Sequence, residues 1–266
     1  MNINKEDFKK FSEQGFLVIK SKEIAQLKDD LTTYLSEIIL YIVKISKIKI
    51  DLKSLIGKTF SEQINLIVNK ESNKNISKQF YELCPSLLPV LALLNNDLLL
   101  NIAKAFGIQK PVAGTLPTIR GDRPNNDYYS APLHQDYWYS MLSENSITIW
   151  SGLVPLTSDM GFLEVIPGTH KKGLVAFQNN DESNDSFTTV ADYGEKIKES
   201  IKLEYDEILV FSQYLIHKSG KNISNKTRVS MQVRFNDLKA MEKIDISFTS
   251  KPSVFLQNKQ KNLKQS

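Results

Sequence analysis

The sequence predicts a mainly β fold: an antiparallel double-stranded β-helix, or jelly-roll, core carrying an N-terminal helical layer, α+β when taken whole. Three observations lead there. The first hundred residues carry apolar side chains at three- and four-residue steps. Beyond Gly107 the chain breaks into short β-branched and aromatic runs separated by turn residues, the pattern of a sandwich or barrel. No GxGxxG or P-loop follows a strand, which argues against a nucleotide-binding βαβ plan. The expected division is a helical region over 1–107, a β core over 108–256 and a polar tail over 257–266, together one integrated domain.

The elements follow in order. "NKEDFKKFSEQ" reads as a helix with Phe8 and Phe11 on one face and a stop at Gly15, and "GFLVIKS" reads as a short strand. From Ser21 to Ser46, the residues Ile24, Leu27, Leu31, Tyr34, Leu35, Ile38 and Ile39 recur as a helix with one buried face requires, with Ser21 as its N-cap. Phe60–Val68 and Pro85–Phe106 are further helices. The strands expected next are Val112–Arg120, Ser146–Val154, Gly161–Ile166, Phe187–Ala191, Glu207–Phe211, Ile216–Ser219 and Thr227–Phe235. "NNDESNDS" over Asn179–Ser186 is a polar loop.

Composition narrows the function classes. The 266 residues are 41% hydrophobic and 24% charged, ordinary for a globular protein. With 34 basic against 30 acidic side chains the net charge is +4, and much of the excess sits in "KQKNLKQS". That is a solvated tail rather than a nucleic-acid footprint. The apolar runs Ile38–Ile50 and Leu87–Phe106 are interrupted by charged and polar residues, so neither offers the roughly 18 apolar residues a membrane span needs. Cys84 is the one cysteine, which excludes an internal disulfide and a CxxC zinc site and fits a cytoplasmic location. The expected partner is a small-molecule substrate, with no nucleic acid and no membrane span; the sequence leaves the oligomeric state open.

The chemistry concentrates in "PLHQDYWY", Pro132–Tyr139. Residues two apart on a strand point the same way, so His134 and Asp136 can present an imidazole and a carboxylate to one point. A third ligand must come from His170 or His217, the remaining histidines. Two histidines and a carboxylate on one face of an octahedron leave three positions open, which suits Fe(II) that also binds a cosubstrate and O2. Arg228 follows His217 after 11 residues, where a hairpin can bring it back alongside. An arginine fork binds a carboxylate bidentately, the chemistry needed to hold the distal carboxylate of 2-oxoglutarate. On Thr227–Phe235 the odd positions share an apolar face, while Arg228, Ser230, Gln232 and Arg234 point to a polar barrel interior.

Four pieces, "HQDYWY", "TIW", "GFLEVIPGTHKKG" and "HKSGKNISNKTR", resemble in order and spacing the phytanoyl-CoA dioxygenase-like family of Fe(II)/2-oxoglutarate oxygenases, over roughly Arg120 to Phe235. The resemblance implies a cupin-like double-stranded β-helix, metal ligands at His134, Asp136 and His217, and Arg228 as the 2-oxoglutarate anchor with Ser219 beside it. It implies Trp150 near the cosubstrate or pocket wall, His170 in a structural turn, and Tyr139 on the pocket wall. Trp138 and Tyr137, with Tyr128 and Tyr129, are further aromatic candidates for the substrate pocket, and Arg120 for an anionic group or the surface. The activity implied is a hydroxylase, with Fe(II), 2-oxoglutarate and O2 required and succinate produced. The retained Asp136 argues against halogenation, because related halogenases lack that carboxylate. The alternative is a cupin-like metal-binding protein without oxygenase activity, for which Arg228 would have no purpose.

Overall fold

The computed structural model describes residues 3–45, 50–70, 75–126, 130–137, 143–175, 178–179, 188–189, 193 and 198–243. The expected polar tail at 257–266 and most of the 179–186 loop lie outside them.

The N-terminal layer is helical, as its periodicity requires. Helix α1 (Lys5–Gln14) begins in a reciprocal cap in which Asn4 accepts from the Glu6 and Asp7 amides and Asp7 accepts from the Asn4 amide. It ends at Gly15, where φ is 87°, a left-handed conformation that glycine adopts without cost. A Cβ there would also lie 2.4 Å from Nδ1 of His170. Strand β1 (Phe16–Lys20) follows, then α2 (Lys22–Ile45), which buries Ile24, Leu31, Leu35 and Ile39. Lys28 is buried on the same helix, its Nζ donating to the carbonyls of Tyr205 and Glu207 at 2.6 and 3.0 Å. Helices α3 (Phe60–Lys70) and α4 (Asn75–Leu83) complete the layer with α5 (Leu88–Leu91) and α6 (Asp97–Ala105). The expected single helix Pro85–Phe106 is broken because Pro89 opens α5 and Asn96 caps a new helix through the Leu99 amide.

The β portion consists of β2 (Pro111–Ala113), β3 (Thr118–Asp122), β4 (Ser146–Gly152), β5 (Leu163–Val165), β6 (Gln178–Asn179), β7 (Thr188–Thr189), β8 (Glu199–Ile201), β9 (Glu207–Ser212), β10 (His217–Ser219) and β11 (Arg228–Asp237). The strand expected at Val112–Arg120 is two strands, split at the segment containing Gly114 and Pro117. A six-stranded antiparallel sheet runs β1-β9-β4-β11-β2, with β3 also on β11; β10-β5-β8 form a three-stranded sheet. About 44% of the described residues are helical and 23% strand, so the expected mainly β character is corrected to α+β. The helical layer is larger than the β-branched runs suggested, because α4 adds a helix that the apolar spacing did not mark.

Alternation on the central strands separates two interiors. Ile147 and Ile149, Ile208 and Val210, and Val229, Met231, Val233 and Phe235 pack against the helices in the main core. Trp150, Leu209 and Phe211 point the other way and meet Leu163, Val165 and Ile201 of the small sheet. The space between the two sheets holds the polar face of β11. Among the described residues no single helix is long and apolar enough to cross a membrane. The bent pair Ser77–Ser86 and Leu88–Ala105 has suitable composition but buries Phe80, Cys84, Val90, Leu99 and Ile102 in the core.

Candidate metal centre

His134 is joined to the β10 end of the small sheet. Its amide donates to the His217 carbonyl at 2.9 Å, and the His217 amide returns a bond at 3.0 Å. This single antiparallel bridge sets the two rings side by side, with centroids 4.2 Å apart. The chain turns immediately after His134, so Asp136 reaches the site from a turn rather than from the strand expected. The outcome anticipated from two-residue spacing is nevertheless reached. Asp136 Oδ1 lies 3.5 Å from His134 Nε2 and 3.8 Å from His217 Nε2. Among the described residues, these three buried side chains form the group whose donor atoms could share one metal ion, all within 4.8 Å of one another.

Backbone carbonyls fix the orientation of the imidazoles. His134 Nδ1 is 2.7 Å from the Pro132 carbonyl and His217 Nδ1 is 3.0 Å from that of Leu215. A carbonyl only accepts, so each Nδ1 carries a proton and each Nε2 is the ring nitrogen turned toward Asp136. Burial, then the neighbouring His134, pushes the His217 pKa down to about 3, against the opposite pull of Asp136. Burial alone would raise the Asp136 carboxyl; the Arg234 guanidinium and the two imidazoles overcome it and hold the group well below the usual carboxylate range. The site thus gathers two imidazoles and one carboxylate, a donor set suited to a borderline divalent cation.

Two further residues hold Asp136. Thr148 on β4 donates to Oδ2 at 2.6 Å, and Arg234 on β11 donates through Nε to Oδ2 at 3.0 Å and through Nη2 to Oδ1 at 3.2 Å. Thr148 and Arg234 are direct cross-strand partners, so both side chains leave the same face of the sheet. Alternation along β11 points Arg234 inward, but its pairing with Asp136 depends on a register that the sequence does not state.

The triad opens into a cavity of about 430 Å³. Ser219, Leu163, Gln232, Arg234 and Arg120 line it from the sheets; Lys78, Tyr81 and Glu82 of α4 line it from the helical layer. Arg120 stands opposite Ser230 on the inward face, its Nε 3.2 Å from Asp122 Oδ1. The cavity reading of Arg120 is thus the one the geometry supports.

Other expected positions differ. Arg228 does not line the cavity: Nε and Nη2 donate to Asp122 Oδ2 at 3.1 and 2.8 Å, and Nη1 donates to the carbonyls of Gly161 and Gly220. Its fork is engaged by a protein carboxylate rather than held open, because the register places Arg228 directly opposite Asp122. Trp150 packs one layer back, in the apolar cluster that includes Leu163. Tyr137 is fully buried and stacks on Tyr214 at 5.0 Å rather than forming the pocket wall, the turn at Asp136 having carried its ring into the interior. Trp138, Tyr139, Tyr128 and Tyr129 lie outside the described residues. His170 Nε2 lies 3.1 Å from the Ser12 carbonyl of α1, away from the metal group. The α4 residues Lys78 and Tyr81 went unrecognised because α4 itself did.

Residues 122–230 match the profile of the family described as Phytanoyl-CoA dioxygenase (PhyH). The peroxisomal phytanoyl-CoA dioxygenase of Bos taurus is 30% identical over 129 residues, covering 46% of this chain and 38% of that protein; the Homo sapiens enzyme is 28% identical over the same coverage. The matched part of the chain thus spans 38% of the length of these relatives. Among solved structures, EctD from S. alaskensis with bound Fe superposes with a TM-score of 0.55 at 15% identity, covering 90% of this chain and 78% of that one. EctD with 2-oxoglutarate and 5-hydroxyectoine gives 0.53 at 13%, covering 90% and 77%. At such identity the likeness establishes a shared fold.

Proposed function

We propose that this chain, whose residues 122–230 match the phytanoyl-CoA dioxygenase profile, is an Fe(II)/2-oxoglutarate-dependent dioxygenase that hydroxylates a C–H bond of a small molecule. The observation that carries this reading is the convergence of His134 Nε2, His217 Nε2 and Asp136 Oδ1, all buried, at one end of the cavity. Two imidazole nitrogens and one carboxylate oxygen fit Fe(II), and three ligands on one side would leave room for a chelating cosubstrate and O2. Bound there, Fe(II) with 2-oxoglutarate supplies oxidising power by coupling decarboxylation to succinate and CO2 with transfer of an O2 oxygen atom to the substrate.

The remaining work falls to the chain. His134 and His217 keep Nε2 directed inward because backbone carbonyls hold their Nδ1 atoms. For the distal carboxylate of 2-oxoglutarate we assign the cluster Arg120–Asp122–Arg228, two guanidiniums around one carboxylate and so one net positive charge. Arg120 is its cavity-facing member and Ser219 adds a hydroxyl on the same wall. Arg228 serves either by keeping Asp122 and Arg120 in place or by exchanging its Asp122 contact for the cosubstrate. Trp150 supports this wall from behind through Leu163. Tyr81 and Lys78 form the substrate side, giving α4 a part in specificity, with Trp138 and Tyr139 as further candidates. The cytoplasm is the proposed compartment, on the single buried Cys84.

The test is succinate release from 2-oxoglutarate, with mass spectrometry for a product heavier by one oxygen atom across a panel of small-molecule classes. Release that needs Fe(II) and vanishes in His134→Ala supports the reading. Metal binding with no succinate above the His134→Ala background would favour the cupin-like binding protein instead.

A further inference from the structure

We infer that Arg234, assisted by Thr148, is a positioning residue that presents Asp136 to the metal through Oδ1 alone. This inference rests on the functional reading above. The two oxygens of Asp136 have different surroundings. Oδ1 faces both imidazole Nε2 atoms, at 3.5 and 3.8 Å, and takes one longer bond, from Arg234 Nη2 at 3.2 Å. Oδ2 is turned away and takes two donors, the Thr148 hydroxyl at 2.6 Å and Arg234 Nε at 3.0 Å. A carboxylate whose second oxygen is held by two protein donors coordinates through one oxygen, not both.

The arrangement is built by the sheet. Thr148 and Arg234 face each other across β4 and β11, so the donors that clamp Oδ2 come from one rigid register rather than from a loop. Arg234 is itself oriented: Nη2 donates to Gln232 Oε1 at 2.6 Å, and its side chain is 11% exposed. Asp136 enters from a turn, which leaves its rotamer to be fixed by what meets it. An octahedral ion held by one oxygen of Asp136 and two imidazoles would keep three positions, the number a bidentate 2-oxoglutarate and O2 together would require. A bidentate Asp136 would remove one. The guanidinium fork suits this task and an ammonium does not, because both Nε and Nη2 are used on the same carboxylate.

The experiment titrates the metal-free protein with Ni²⁺ by calorimetry, comparing wild type with Arg234→Met, Arg234→Lys and Thr148→Val, each checked for folding by circular dichroism. Wild type is expected to bind one Ni²⁺ per chain. Arg234→Met should bind about 10- to 100-fold more weakly, the usual loss when a group supporting a ligand is removed. Arg234→Lys should fail to restore wild-type affinity, and Thr148→Val should weaken binding to a lesser degree. Should Arg234→Met not fold, the lysine and valine variants carry the comparison. Folded Arg234 variants with wild-type affinity would overturn the inference while leaving the functional reading intact. A wild-type protein that binds no metal would overturn the functional reading itself.

Discussion

Arg228→Met tests whether Arg228 and Asp122 act as a unit. Both side chains are almost completely enclosed, at 3% and 7% exposure, and share bonds of 3.1 and 2.8 Å. Removing one partner of such a pair costs about 3–5 kcal/mol, because the other charge is left buried. Asp122 retains Arg120 at 3.2 Å, which places the loss at the lower end, about 3 kcal/mol. For a chain of this size that corresponds to a fall in Tm of about 6–12 °C. The assay is a double-mutant cycle with Asp122→Leu, read by urea denaturation. Arg228→Met and Asp122→Leu should each be costly alone and markedly less than additive together, with a coupling of at least about 1 kcal/mol. Additive effects would mean that the pair does not act as a unit and that Arg228 is free to serve the cavity directly. The Michaelis constant for 2-oxoglutarate in the double variant then divides the roles: a value unchanged from wild type assigns Arg228 to structure, and a large rise assigns it to the cosubstrate.

Three further outcomes are expected. Gly121→Ala places a Cβ 2.1 Å from the Tyr81 hydroxyl, so it should cost about 1–3 kcal/mol and shift the α4 wall of the cavity; an unchanged melting curve would contradict the packing of α4 on β3. Gly15→Ala forces a non-glycine residue to φ 87° and drives its Cβ into His170, so a loss of at least about 1–2 kcal/mol is expected in urea unfolding. Acid should destabilise the metal-free protein as pH falls from about 6.5 towards 3. In that window the unfolded chain takes up a proton on His217 that the folded chain, with its value near 3, refuses. His217→Gln should flatten this part of the stability profile, and an unaltered profile would rule out a buried neutral His217.

Much of this architecture follows from side-chain periodicity. The three- and four-residue spacing of Ile24, Leu31, Leu35 and Ile39 fixes the buried face of α2, and strict alternation on β11 sends Val229, Met231, Val233 and Phe235 to the helices and the polar set inward. The metal group was accessible for a different reason: with three histidines in the chain, few combinations exist, and two of them fall in motifs of ordered spacing. Cross-strand register was not accessible. Nothing local tells that Arg228 meets Asp122, 106 positions away, or that Arg234 faces Thr148 and so reaches Asp136. Tyr137 illustrates the same limit, since a turn after His134 replaced the expected strand and carried its ring onto Tyr214. The buried Lys28 departs from the simple apolar-face rule because two backbone carbonyls at Tyr205 and Glu207 happen to lie within its reach.

The role assigned to His134, Asp136 and His217 is to bind Fe(II) with a face left open for 2-oxoglutarate. Its most direct test is anaerobic titration of the Fe(II)-loaded protein with 2-oxoglutarate, following the visible absorption band of the chelate. A band that saturates at one 2-oxoglutarate per chain and disappears in His217→Ala is the predicted result. No band in wild type, or a band of equal strength in His217→Ala, would contradict it.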